Sequence, residues 1–200
     1  GSAVSSAPYP RIVQFAQSVI GREIREQSMD QEGRLPNMLI ACCGGGSNLI
    51  GMIHEFLDEP EIIKIGVEAA ETAALSNGTP GIMQGMKTYM LQTDDGSKSL
   101  GGSSLGAGIQ YFSVGPQHAF LKDQGVVKYT SATDKEILEA YKLIASTEGI
   151  CSALEPMAGA AELIKQAKNK PKDYLICLNL CGTGEKDLNT IQEHIGKDFE

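Results

Sequence analysis

No apolar run in the 200-residue chain approaches the ~20 residues a membrane-spanning helix needs. The first ten residues, GSAVSSAPYP, have neither the charged nor the apolar region of a targeting peptide. A cytoplasmic protein with no membrane partner is therefore expected. Basic charge is scarce as well: 17 Lys and Arg stand against 25 Asp and Glu, a net charge of -8, and the basic residues are scattered. The positive patch of a phosphate-backbone binder is missing, so nucleic acid is not an expected partner. Cysteines are few and odd in number: Cys42 and Cys43 are adjacent, Cys151 stands alone, and Cys177 and Cys181 are four apart. There is no CxxC, and their apolar surroundings point to reduced thiols packed in strands rather than a disulfide framework or zinc site.

What is present suits a packed core. With 42% hydrophobic and 21% charged residues, a chain of this size buries roughly 70% of its unfolded surface. Residues 11–27 place Ile12, Phe15, Ala16, Val19, Ile20 and Ile24 at helical spacing after Pro8 and Pro10, an amphipathic helix expected to cover a sheet. MLIACC (38–43) reads as a strand buried on both faces, followed by a helix over 49–57 and a second strand, IIKIGVE (62–68). This order implies a right-handed parallel crossover. Residues 93–108, TDDGSKSLGGSSLGAG, read by composition as a linker, or else as a functional loop. GVVKYTSAT then predicts a strand, and TDKE a capping box in which Thr133 and Glu136 start a helix ending near Gly149. A helix over LEPMAGAAELIKQAK takes Pro156 in its first turn, with Glu155 just outside it. DYLICLNL (173–180) is the strongest strand pattern and runs into CGTGEKD and a last helix.

Two strands thus end in glycine-rich turns, and in a parallel sheet both turns can share one edge. After the first strand, Gly44, Gly45 and Gly46 offer bare amides, and Ser47 and Asn48 add polar side chains where a helix begins. An anion, a phosphate above all, suits such a place. The Lys-Ser/Thr pair of a nucleotide P-loop is absent. A dinucleotide site stays open, with Glu68 where a ribose-binding acid would stand, although Leu49 occupies the third glycine position. A purely structural turn stays open too. His118, in GPQHAF, reads as a hydrogen-bonded structural histidine, and Met83, Met86 and Met90 at most as a core stripe.

EGRLPNMLIACCGGGSNLIGM, GMKTYMLQTDDG, SVGPQHAFL, TEGICSALE and LNLCGTGEKD, in that order, resemble the C-terminal half of tryptophan synthase beta chains, which are fold type II pyridoxal-phosphate enzymes. The resemblance covers essentially the whole chain. It implies an α/β three-layer sandwich with a mainly parallel sheet, residues 1–200 forming one domain, the second of that fold, without its N-terminal half. It implies pyridoxal phosphate as cofactor, with the phosphate on Gly44, Gly45, Gly46, Ser47 and Asn48, Glu155 beside the ring, and Cys181 where the family has a serine facing the pyridine nitrogen. A monovalent cation would sit on the backbone carbonyls of Gly44, Tyr111 and Ser113. Gln110 stands where a family aspartate helps hold the amino-acid substrate.

The implied reaction joins L-serine and indole into L-tryptophan. The implied partners are the N-terminal half of the same protein, a second copy in a homodimer, and the alpha subunit. Further departures are Pro156, Met157 and Ala158 after Glu155, Thr183 in place of an arginine, Glu185 in place of an aspartate, and a shorter segment after Glu68. The family's Schiff-base lysine follows a histidine, yet His54, His118 and His194 precede no lysine, and Lys87, in the most apolar setting, does not match that position. No catalytic residue is therefore expected within this chain. Two readings result: the cofactor-phosphate-binding half of a pyridoxal-phosphate lyase, or a catalytically silent binding module derived from it.

Overall fold

The computed structural model describes residues 3–195. At its centre β1 (Met38–Cys42), β2 (Ile63–Ala69), β5 (Lys128–Ala132) and β6 (Ile176–Leu178) form a four-stranded, wholly parallel sheet. Their order across the sheet is β5-β2-β1-β6. A separate antiparallel hairpin joins β3 (Thr79–Met83) to β4 (Met86–Met90), through Gln84 and Gly85, both at positive φ, the pairing a tight right-twisting turn requires.

The side-chain period of two divides β1 between two cores. Leu39, Ala41 and Cys43 face α3 (Ser47–Ile53) with Leu49, Ile50, Met52 and Ile53. Met38, Ile40 and Cys42 face the other cluster, with Ile137 and Tyr141 of α6 (Asp134–Glu148) and Leu154, Met157 and Ala158 of α7 (Leu154–Ala167). Every residue of β1 is buried, so burying both faces explains the unbroken apolar run. Helices, sheet and helices make the expected three-layer α/β fold. The capping box is also present: Thr133 Oγ1 accepts from Glu136 N–H at 3.3 Å, Glu136 Oε2 accepts from Thr133 N–H at 2.8 Å, and Gly149 ends α6 at φ 67°.

Four expectations need correction. The helix over 11–27 is two helices, α1 (Tyr9–Gln17) and α2 (Val19–Glu32), parted at Ser18, whose hydroxyl donates to the Gln14 carbonyl at 2.7 Å and diverts the backbone there. They pack on α3 rather than on the sheet, with Ile20 and Ile24 against the core and Ile12 and Phe15 left 56% and 78% exposed. The strand over 173–180 shortens to Ile176–Leu178 because β6 lies at the sheet edge with β1 as its neighbour and stays half-buried. Glu155 lies inside α7, second residue of its first turn. The apolar context of the cysteines fails at Cys151, which is exposed.

The glycine- and serine-rich stretch is docked rather than a free linker. Asp134, in the first turn of α6, accepts from Ser104 Oγ at 2.7 Å and from Leu105 N–H at 3.1 Å. The stretch ends in a 3-10 turn, Ala107–Ile109. Met86 and Met90 are buried and Met83 half-buried, while Lys87 lies exposed on β4. Among the described residues no helix is long and apolar enough to cross a membrane.

Candidate functional site

The strand order turns at β1: the chain leaves β1 through α3 toward β2 on one side, while β6 lies on the other. Loops leaving such a switch point diverge and open a crevice at the carboxyl ends of the strands. A cavity of about 600 Å³ opens there. It is walled by Gly44, Gly45, Gly46, Ser47 and Asn48 on one side, Cys181, Gly182, Glu155 and Lys186 on another, with Gly108 and Tyr111 from the docked stretch.

The glycine loop is held by its carbonyls. Gly45 C=O accepts from Gly115 N–H at 3.1 Å. Gly46 C=O accepts from Ile50 N–H at 2.9 Å and from His118 Nε2 at 2.7 Å. In a planar trans peptide the following N–H points opposite to the carbonyl, so these bonds turn the amides of Gly46 and Ser47 away from α5 (Pro116–Asp123) and toward the crevice. No side chain fits at two of the glycines. A Cβ at Gly44 would meet the Gly108 carbonyl oxygen at 2.6 Å, and one at Gly46, which has φ +96°, would meet the His118 ring at 2.1 Å.

His118 is fully buried between Gly46 and Tyr129, whose hydroxyl lies 2.9 Å from Nδ1. Because a carbonyl only accepts, Nε2 carries the proton and Nδ1 accepts from Tyr129. Burial pushes the Tyr129 phenol well above its ordinary range, with Cys43 and Glu68 adding to it, which keeps it a donor. Burial pulls the His118 imidazole down to about 4 against the bond to Gly46. The histidine is thus structural, as its sequence context predicts, and its work is to pin the Gly46 carbonyl of the glycine loop.

The two polar side chains of the loop divide. Ser47 Oγ accepts from Ala3 N–H at 3.0 Å, leaving its own proton to donate. Asn48 is committed to structure: Nδ2 donates to the Cys42 carbonyl at 3.1 Å, and Oδ1 accepts from Asn179 Nδ2 at 3.0 Å, tying β1 to the chain leaving β6. Gln110 lies outside the cavity wall, its amide donating to the Ser104 carbonyl. Ser113 is buried with its hydroxyl on the Met83 sulfur. Glu68 closes the dinucleotide alternative. Its carboxylate caps α4 (Ala74–Asn77), accepting from Leu75 N–H at 2.8 Å and Ser76 N–H at 2.9 Å, inside the protein and away from the cavity.

Opposite the glycine loop, Glu155 Oε1 accepts from Gly108 N–H at 2.7 Å and from Lys186 Nζ at 2.8 Å, while Oε2 is buried without a partner. Lys186 also bonds both oxygens of Asp187 at 2.8 Å, and Asp187 Oδ2 accepts the first amide of α7, Leu154 N–H, at 2.8 Å. Burial alone would lower the Lys186 amine, but Asp187 and Glu155 outweigh it and raise it. Sequence reasoning did not single out Lys186 and Asp187. The available signal was their position in CGTGEKD, directly after the Cys181 turn. Replacing Lys186 with Met leaves two mostly buried carboxylates facing each other without their cation. Because the Lys186 side chain is 44% exposed, the expected loss is about 1–2 kcal/mol rather than the larger cost of breaking a fully buried pair, read as a lower urea midpoint with unchanged slope.

The pyridoxal-phosphate dependent enzyme family model matches residues 3–182. The chain is 46% identical to the tryptophan synthase beta chain of Dinoroseobacter shibae and 47% identical to that of Rhodopseudomonas palustris, aligned over the whole chain and over 50% and 51% of those proteins. It therefore spans about half the length of these relatives. In fold it is similar to a T.th. threonine deaminase, with TM-score 0.63, 19% identity, and 83% of this chain and 55% of that one covered. An O-ureido-L-serine synthase variant gives TM-score 0.65 at 18% identity over 92% and 52%. At those identities the likeness is one of fold, and the fold is that of the fold type II enzymes. The extent of the family match, together with a switch-point cavity walled by a glycine loop, leads to one conclusion: the chain belongs to the pyridoxal-phosphate dependent enzyme family.

Proposed function

We propose that the cavity holds pyridoxal phosphate as one half of a tryptophan synthase beta chain, with residues 1–200 forming the single α/β domain that binds the cofactor phosphate. The supporting observation is the pinned glycine loop. Gly115 and His118 hold its carbonyls, so that the Gly46 and Ser47 amides and the Ser47 hydroxyl turn toward one anion. One further feature fits the cofactor: a buried carboxylate oxygen of Glu155 without a partner, on the cavity wall. When bound, pyridoxal phosphate supplies the electron sink for losing a proton from an amino acid's α-carbon.

This chain's residues would do the rest of the holding. Gly44 to Asn48 fix the phosphate through backbone amides and Ser47. Cys181 would offer its thiol to the ring nitrogen, and Glu155, its carboxyl held by Lys186 and Gly108, would stand beside the ring. Lys186 is the one lysine on the cavity wall among the described residues, and its two carboxylate partners keep it protonated, hence a poor nucleophile. The Schiff-base lysine would come from the N-terminal half of the same protein, so this chain alone is not the catalyst. The whole protein would pair as a homodimer with an alpha subunit and join L-serine and indole. A monovalent cation would rest on the carbonyls of Gly44, Tyr111 and Ser113; the Tyr111 ring packs directly on Gly44.

Titration with pyridoxal phosphate, followed by its absorbance and by competition with inorganic phosphate, tests this reading. Saturable one-to-one binding is expected, weakened about tenfold or more by Ser47→Ala, the loss of one hydrogen bond to a charged group. Borohydride reduction of the loaded chain is expected to leave its lysines unmodified. Binding indifferent to both phosphate and Ser47→Ala would sink the phosphate cradle, and a stoichiometric lysine adduct would refute the claim that the amine lies elsewhere.

A further inference from the structure

Cys42 and Cys181 stand Sγ to Sγ at 3.6 Å, and both line the cavity. They are 139 positions apart in the chain and meet because β1 and β6 are parallel neighbours in register. Ile40 sits opposite Leu178, and Asn179 N–H still donates to the Ile40 carbonyl at 2.9 Å. Cys42 ends β1 and Cys181 lies three residues past the end of β6, so the thiols meet at and just beyond the carboxyl ends of two adjacent strands. Bringing the sulfurs from 3.6 Å to a bond of about 2.05 Å is a closure of about 1.5 Å, on the scale of side-chain rotation. The other cysteines differ: Cys151 is exposed, while Cys43 points into the opposite core and Cys177 packs against it.

We propose that Cys42 and Cys181 are a reversible thiol–disulfide pair in the floor of the cavity, closed by a hydroperoxide and reopened by a dithiol. Cys181 acts first. It is the more accessible of the two, and the Cys42 S–H donated to its sulfur lowers its thiol below the ordinary value, while the same contact and burial raise Cys42. The Cys181 thiolate attacks a peroxide oxygen. An S–O bond forms, the O–O bond breaks, and the leaving oxygen departs as alcohol or water, giving the sulfenic acid. Cys42 then attacks that sulfur: the S–S bond forms, the S–O bond breaks, and water leaves with the Cys42 proton. Two thiols are oxidised by two electrons and one hydroperoxide is reduced. Asn48 Nδ2, 3.7 Å from Cys42 Sγ, steadies negative charge on Cys42 during this second step.

The consequence for the cofactor rests on the proposed function. Closing the bond takes the Cys181 S–H from the ring nitrogen and ties its loop to β1, so the oxidised form should bind pyridoxal phosphate at least tenfold more weakly. Bound cofactor should in turn shield both sulfurs and slow the oxidation.

Peptide mapping by mass spectrometry without reductant tests the pair, on the full-length protein that carries this chain, after hydrogen peroxide and alkylation. A Cys42–Cys181 linked peptide is expected, released by dithiothreitol, formed more slowly with pyridoxal phosphate present, and absent from Cys42→Ser and Cys181→Ser. Both cysteines recovered free, or Cys181 recovered as sulfinic acid beside a free Cys42, would overturn the pair. The wild-type map decides this even where a variant fails to fold. Cross-linked protein that binds pyridoxal phosphate as tightly as the reduced form would overturn the regulatory effect. A linked peptide from protein whose reduced form takes up no pyridoxal phosphate would uphold the pair and reject the cofactor reading, so the two failures are separable.

Discussion

Gly46→Ala should cost roughly 2–5 kcal/mol of folding stability and abolish the proposed binding of pyridoxal phosphate. Two terms add. The residue sits at φ +96°, where an L side chain costs about 1–2 kcal/mol. The new methyl would lie 2.1 Å from His118 Cδ2 and 2.3 Å from Nε2, and such overpacking in a closed core costs a further 1–3 kcal/mol or so. The imidazole cannot swing aside, because Tyr129 and the Gly46 carbonyl hold both its nitrogens. A double-mutant cycle separates the terms. With His118→Ala the clash disappears and the strain stays, so the pair of changes should be less damaging than the sum of the singles by about 1 kcal/mol or more. Strict additivity in urea-unfolding midpoints would mean that the ring is not what excludes the methyl.

The layout around β1 was legible because local and tertiary demands coincide there. A strand buried on both faces must be apolar throughout, so residues 38–42 announce themselves, and a turn without side chains is written as three glycines. The capping box of α6 is equally local. The break at Ser18 was not legible, since the apolar spacing of Ile12, Phe15, Val19 and Ile20 runs through it unchanged. Nor was the docking of residues 93–108: their composition is a linker's, and what holds them, Asp134 and Glu155, comes from two distant helices. The site divides in the same way. The glycine loop is contiguous and readable, whereas Glu155, Lys186 and Asp187 converge from separate segments, and Cys42 reaches Cys181 only through the strand order β1-β6. Resemblance to a family could place Glu155 and Cys181 in one site, but neither the partner of each nor the exclusion of Gln110 from the cavity wall follows from aligned letters.

The glycine loop and the acid tolerance of the fold should be linked through one imidazole. His118 titrates at about 4 in the folded protein, with burial as the cause, against about 6.5 when unfolded. The folded value is the lower one, so this contribution is complete above about pH 6.5 and is lost as pH falls toward about 4, where the unfolded chain binds the extra proton. The slope is about 1.4 kcal/mol per pH unit across that window, close to 3 kcal/mol in all. Tyr129 can rotate its hydroxyl to accept from a protonated Nδ1, and Nε2 still donates to Gly46, so what is lost is the solvation of the buried charge rather than a hydrogen bond. Urea-unfolding free energies measured from pH 7 to pH 4 should therefore fall more steeply for the wild type than for His118→Gln, whatever the variant's absolute stability. Parallel pH curves would show that folding does not shift the imidazole's titration. Because the bond from Nε2 to Gly46 survives protonation, affinity for pyridoxal phosphate should not change through His118 over this interval.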